Sequence, residues 1–169
     1  MHIGKWISVL ACLALAACAA VSQDGDTKPI VAMADDAWQL EIRRRDNSVV
    51  YRLDLPADGQ WCMGWNHSVA GFPVTDCYGV HEGQLRLENS HQPDFAAGLG
   101  HIEGRGRMES DGAGGYNIVD INEPVPGNAY FLRVGALAVN HRILLEDQVY
   151  SLSERAAGER VLIRLVRSE

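Results

Sequence analysis

Residues 38–55 read WQLEIRRRDNSVVYRLDL, and this stretch decides the fold class. Trp38, Leu40 and Ile42 alternate with Gln39, Glu41 and Arg43, and after Asp46-Asn47 the residues Tyr51, Leu53 and Leu55 alternate with Arg52 and Asp54. A period of two places apolar side chains on one face of an extended chain, the pattern of a half-buried strand. Asp-Asn between the two runs is turn chemistry, so the stretch reads as a hairpin. Arg43-Arg44-Arg45 falls beside that turn and is followed by Asp46, which makes it a solvated face rather than a ligand site.

Similar runs recur near 61–67, 74–80, 84–89, 130–134, 137–144, 148–152 and 160–167. Glu82-Gly83, Pro126-Gly127-Asn128 and Glu146-Asp147 punctuate them, and Ser110–Gly115 (SDGAGG) is a loop. No segment carries a sustained helical stripe with caps. Many short strands at this spacing predict an all-β domain, an antiparallel β-sandwich or partly open barrel, over residues 38–169.

Upstream of the domain, Met1 to Lys5 is short and carries one lysine, Trp6 to Leu15 is mostly apolar, and Leu15-Ala16-Ala17-Cys18 follows. A charged start, a short apolar core and small residues before a cut describe a secretory signal over residues 1–17. The apolar run falls short of the about 20 residues that a spanning helix needs. Leu-Ala-Ala-Cys also resembles the lipobox of bacterial lipoproteins, which implies that Cys18 becomes the lipidated first residue. Two or more acyl chains there would hold the protein stably on a membrane. An ordinary signal peptide cut elsewhere is the competing reading. Ala19 in place of aspartate after the anchor implies, in a Gram-negative cell, the periplasmic face of the outer membrane. Residues 18–37 are small or polar with no period, and read as a tether.

Hydrophobic content of 47% and charged content of 22% are globular values, so the region behind the tether has enough apolar material for a core. The net charge is −7, and loss of Lys5 with the signal takes the mature chain to −8. No clustered basic face emerges from the sequence, which argues against a nucleic-acid partner.

Cys62 and Cys77 are the cysteines left to the mature domain. With a turn at Val69-Ala70-Gly71, strands Trp61–His67 and Val74–Val80 would set them face to face. An oxidising compartment favours a disulfide there, and closing that 15-residue separation contributes about 3 kcal/mol in the chain-entropy model. Two buried thiols are the alternative.

The same hairpin carries a family resemblance. His67-Ser68-Val69, then Pro73-Val74, Asp76 and Tyr78, resembles the opening motif of the bacterial family called domain of unknown function 1850. Phe95-Ala96-Ala97-Gly98-Leu99 resembles its Phe-x-Gly-Ala-Gly-Leu element, and Leu132-Arg133-Val134-Gly135 followed by His141 resembles its Leu-Arg-Val-Gly…His element. The three elements stand in family order within residues 60–166. Two departures are Ala70-Gly71, where the family often has a charged pair, and Ala97-Gly98, where it has Gly-Ala-Gly. The family has no assigned activity. Its members often accompany the membrane components of tripartite ATP-independent periplasmic (TRAP) transporters of the type that uses a TAXI-class solute-binding protein. The resemblance implies an extracytoplasmic accessory role, with a transporter permease or solute-binding protein as partner.

The chemistry on offer is sparse. In the hairpin Trp61, Met63, Trp65 and His67 share a face with Val74, Asp76 and Tyr78. His67, Asp76 and His141 are therefore a candidate polar cluster, since a carboxylate orients an imidazole in general-base and metal sites. A hydrogen-bonded pair that fixes the hairpin is the plainer reading. Ser68 with His141 and Asp76 lacks a Gly-x-Ser-x-Gly elbow and an oxyanion element, which leaves no catalytic residue assigned. His81, His91 and His101 fall on different elements without metal-ligand spacing. Asp111-Gly112 and Asp24-Gly25-Asp26 lack the remaining ligands of a calcium loop. The glycines at 98, 100, 104 and 106 are no phosphate loop. Neither metal nor cofactor is implied. The expectation is a lipid-anchored binding domain whose surface comprises His67, Ser68, Phe72 (an apolar residue at the hairpin tip), Asp76, Arg133 and His141. The alternatives are a small periplasmic hydrolase or metal-dependent enzyme built on His67, Asp76 and His141, and a structural envelope lipoprotein.

Overall fold

A computed structural model describes residues 37–93 and 102–168. Within them, antiparallel strands form two sheets that face one another across a shared core, an all-β sandwich. The signal segment, Cys18, the tether and the Phe95–Leu99 element lie outside the described residues.

One sheet has four strands in the order β2 (Val49–Asp54), β1 (Trp38–Arg43), β12 (Arg160–Arg167) and β9 (Ala129–Arg133). The hairpin expected at 38–55 is present, with Leu40 opposite Leu53 and Ile42 opposite Tyr51. A register shift after Ile42 puts Arg43 opposite Val49 and leaves Val50 as the extra residue. Leu40 and Ile42 of β1 and Val161, Ile163 and Leu165 of β12 turn inward and are buried.

The other sheet runs β11 (Gln148–Ser151), β10 (Arg142–Leu145), β3 (Trp61–Asn66), β4 (Pro73–His81), β5 (Gln84–Gln92), β7 (Tyr116–Val119) and β6 (Arg107–Ser110), with β8 (Glu123–Pro124) also paired to β5. Trp61, Met63, Tyr78, Leu85 and Ile143 supply its side of the core. Trp61 stacks on Tyr78 at 4.6 Å between ring centroids, a cross-strand aromatic pair of the kind that holds register.

Three features depart from the sequence expectation. The run at 137–144 is mostly loop, and only Arg142–Leu145 pairs as a strand. Its apolar residues Leu137 and Val139 serve a turn whose amides bond locally, Val139 and Asn140 both donating to the Ala136 carbonyl. The SDGAGG loop joins two four-residue strands, β6 and β7, too short for any periodicity to declare them. A one-turn helix, α1 (Leu152–Ala156), links β11 to β12. Ser151 caps it by accepting a hydrogen bond from the Glu154 amide, and Leu152 and Ala156 are its core contacts.

On the outer face of the four-stranded sheet lies a buried charge. Glu41 is 1% exposed and accepts hydrogen bonds from Arg43, Arg52 and Arg164, one arginine on each of the three strands β1, β2 and β12. The alternation of β1 puts Glu41 away from the core, and the arginine stems, not the core, cover it.

Candidate functional site

Cys62 lies opposite Cys77 in the β3–β4 ladder, and the two are joined in a disulfide. The hairpin register therefore follows from the turn centred between them. Beyond β3 the chain turns tightly. The His67 amide donates to the Phe72 carbonyl at 2.8 Å, and the Gly71 amide donates back to the His67 carbonyl at 2.8 Å. Gly71 takes a φ of 75°, the left-handed conformation that suits glycine in a turn.

The His67 side chain belongs to that turn. Its Nδ1 accepts from the Ala70 amide at 3.1 Å and, more weakly, from the Val69 amide at 3.4 Å. Phe72 is half-buried against the His67 ring, stacked at 5.1 Å. Phe72 is thus not the exposed tip that the sequence suggested. The apolar residue left in water is Val69, 90% exposed, because the turn folds Phe72 back onto the imidazole.

The second segment runs from the end of β9 to the start of β10. Arg133 closes β9 and is exposed, opposite Arg160 in the ladder. At His141 the imidazole Nδ1 accepts from the Gly135 amide at 2.9 Å. Ser153 joins the same knot, its hydroxyl accepting from the His141 amide at 2.9 Å and donating to the Gly135 carbonyl at 3.0 Å. Burial lowers the His141 pKa, which keeps the ring neutral at pH 7. The β3 end is tied to this loop through Asn66, whose amide donates to the Val139 carbonyl and whose side chain donates to that of Ala138.

Between the two segments lies an open cavity of about 350 Å³. His67, Ser68, Arg133 and His141 line it, with Trp65, Val134 and Val139 as apolar walls. Trp65 stacks on His141 at 6.3 Å. Residues about 70 positions apart in sequence thus meet in one site, and they belong to the two quoted elements His67-Ser68-Val69 and Leu132-Arg133-Val134-Gly135…His141.

Asp76 does not join them. It sits on the inner face of β4 opposite Met63 and Ser90, and burial raises its pKa while the Ser90 hydroxyl and the charge of Arg105 partly offset this. The proposed His67, Asp76 and His141 cluster is not assembled, because strand β5 takes the carboxylate. Ser68 shares the cavity with His141, without a carboxylate behind the imidazole.

The chemistry of the two histidines follows from their backbone bonds. A ring nitrogen that accepts from an amide N–H carries no proton, so the neutral ring is protonated at Nε2. Each histidine therefore offers an N–H donor at Nε2. Its lone pair is committed to the backbone, and neither a metal ion nor a substrate proton can use it without breaking that bond. Arg133 and the Ser68 hydroxyl add further donors.

His81 and His91 stand elsewhere, and His101 lies outside the described residues. His81 pairs with Glu88, and His91 with Asp111 at 2.9 Å. Asp111 also accepts from the Ala113 and Gly115 amides, so its carboxylate organises the SDGAGG turn. Among the described residues no group of three or more His, Cys, Asp or Glu side chains is placed to hold a metal ion. Sequence reasoning missed Trp65, Val139 and Gly135 as parts of the site. The signal available for Gly135 was its place between Arg133 and His141.

No curated protein and no solved structure matches the chain. A family model described as Domain of unknown function (DUF1850) matches residues 62–152, from the first disulfide cysteine to the start of α1. That span covers both sides of the cavity and more than half of the 169-residue chain, which belongs to the DUF1850 family.

Proposed function

We propose that the protein is an exported, lipid-anchored binding domain without catalytic activity, an accessory to a TRAP-type solute transporter. One observation carries the binding role: two remote sequence elements converge on a single open cavity whose two histidines are held as donors by backbone bonds. Acyl transfer needs a nucleophile, an activating base and charge-stabilising donors. Here the histidine lone pairs face their own turns and Asp76 is turned toward Ser90, which favours binding over a hydrolase or metal-dependent enzyme. Exposed Val69 and Leu137, one on each segment, supply apolar contact for a protein partner. The anchor rests on Leu15-Ala16-Ala17-Cys18, and the transporter on the resemblance of the three sequence elements.

The test is a crosslinking pull-down from the envelope of the native host, with wild type, His67→Ala and Val69→Asp, alongside mass spectrometry of the mature N-terminus. Expected are an acylated Cys18 peptide and a permease or solute-binding protein captured by wild type, with reduced capture by both variants. An unmodified Cys18 removes the anchor. Absence of any transporter component, with turnover of a small substrate that disappears in His67→Ala, puts the enzyme reading first.

A further inference from the structure

We propose that the cavity between the 67–72 turn and the 134–141 loop binds a carboxylate group carried on an apolar body. The inference rests on the reading of this cavity as a binding site and names the chemistry it takes.

The lining decides the charge. The chain holds 22 acidic residues against 15 basic ones, yet no acidic side chain lines this cavity. The Arg133 side chain has no ion pair or hydrogen bond among the described residues, and its ladder neighbour across the strand pair is another cation, Arg160. Arg160 itself is spent on the ring of Phe131, 4.4 Å from its centroid. An exposed guanidinium without a carboxylate, in a domain rich in carboxylates, is available to an incoming anion.

The remaining polar groups agree with that charge. With Nδ1 of His67 and of His141 each accepting from a backbone amide, both rings offer Nε2–H. The Ser68 hydroxyl completes a set of donors with no competing acceptor from a side-chain carboxylate. A planar carboxylate matches the guanidinium fork through two parallel bonds and keeps lone pairs for the imidazole donors. Trp65, Val134 and Val139 then give the rest of the ligand apolar walls, and a volume near 350 Å³ suits a small organic acid or one terminal residue of a chain. A metal ion would meet N–H groups rather than lone pairs.

The experiment uses the full-length chain in detergent, with its histidines labelled with ¹⁵N, and follows the imidazoles by long-range ¹H–¹⁵N spectroscopy. Sodium phenylacetate should shift His67 and His141 saturably, with Nδ1 remaining the unprotonated nitrogen, while phenylacetamide leaves them unmoved. Arg133→Gln should weaken phenylacetate by about tenfold or more, which is about 1.4 kcal/mol; Arg133→Lys should recover part of the loss. Because the Arg133 side chain is exposed and unbonded, neither variant threatens folding. A short peptide ending in phenylalanine, with a free or an amidated C-terminus, forms the second arm. Tighter binding of the free peptide than of phenylacetate assigns the carboxylate to a protein partner; the reverse order assigns it to a solute. Equal responses to acid and amide, sulfate binding as well as phenylacetate does, or indifference to Arg133→Gln overturns the proposal. Capture of a transporter component without any carboxylate binding defeats this inference alone. Carboxylate binding without capture defeats only the accessory role.

Discussion

Replacing Glu41 by glutamine should be among the most damaging single changes on the outside of this domain. The carboxylate is 1% exposed, and its two oxygens accept from Arg43 at 2.6 and 2.8 Å, from Arg52 at 2.5 Å and from Arg164 at 2.7 Å. Removing one partner of a buried pair costs about 3–5 kcal/mol, because the charges left behind lose their compensation. The three arginine side chains keep 25%, 43% and 40% of their surface in water, so they are partly hydrated when stranded. That places the loss near the low end, about 3 kcal/mol. Urea denaturation measures it: with a slope of about 2 kcal/mol per molar, the midpoint should fall by about 1.5 M with the slope unchanged. The pH dependence supplies a second readout. Arg43 above all, then Arg52 and Arg164, hold the Glu41 carboxyl far below its usual range against the opposing effect of burial. A depressed folded pKa means stability fully present above the unfolded value, about 4.3, and lost as pH falls below it. Wild type should therefore weaken more steeply below pH 4 than Glu41→Gln. A midpoint shift under about 0.5 M, equivalent to about 1 kcal/mol, would show that desolvation cancels the three pairings and refute the reasoning.

Reducing the Cys62–Cys77 disulfide should leave the fold in place and lower its stability by up to about 3 kcal/mol; a melting temperature unchanged by reductant would remove any energetic role for the bond. Asp76→Asn should stabilise the domain at pH 7. Burial raises the Asp76 pKa, so the folded state binds more protons than the unfolded one, and stability falls as pH rises from about 4 through the raised value. Melting curves between pH 4 and 7 should be flatter in the variant, and an unchanged slope would count against the shift. Gly135→Ala should disorder the His141 side of the cavity, since a Cβ there would stand 2.6 Å from that of Val139. Adding Val139→Gly, which removes the opposing Cβ, should restore phenylacetate binding at least in part; full binding by Gly135→Ala alone would contradict the crowding.

Much of the fold was written locally, and much of the site was not. The alternation in 38–55 and the register of the 61–78 hairpin depend on neighbours along the chain and across one turn, so strands, turn and cysteine pairing could be read directly. The short strands β6 to β8 carry too few residues for a period, and α1 is a single turn, so their existence depends on what they pack against. Val139 illustrates the limit: the 137–144 run has strand-like residues, but local amide bonds to Ala136 make its first part a turn. The environment of Asp76 is set by Ser90 on a strand whose register shifts beside Cys77, which no inspection of the hairpin alone reveals. Glu41 has the same character, since its burial requires arginines from three strands. The sequence elements around His67 and His141 were legible as motifs. That they share one cavity is a property of sheet order, in which β10 pairs with β3.

The placement of these histidines is the chemical ground for proposing recognition rather than proton transfer. A general base has to keep a lone pair free for the proton it takes, and it is commonly aimed by a group behind the other ring nitrogen. In this domain the order is inverted. The group behind each ring is a backbone N–H, which claims the lone pair and fixes the outward nitrogen as a donor. Such an arrangement costs little to maintain, because the turn amides of Ala70 and Gly135 need acceptors in any case. It also holds two side chains in one tautomer before any ligand arrives, so less ordering is required on binding. In the proposed binding role, the same bonds tie ligand recognition to the geometry of the two turns.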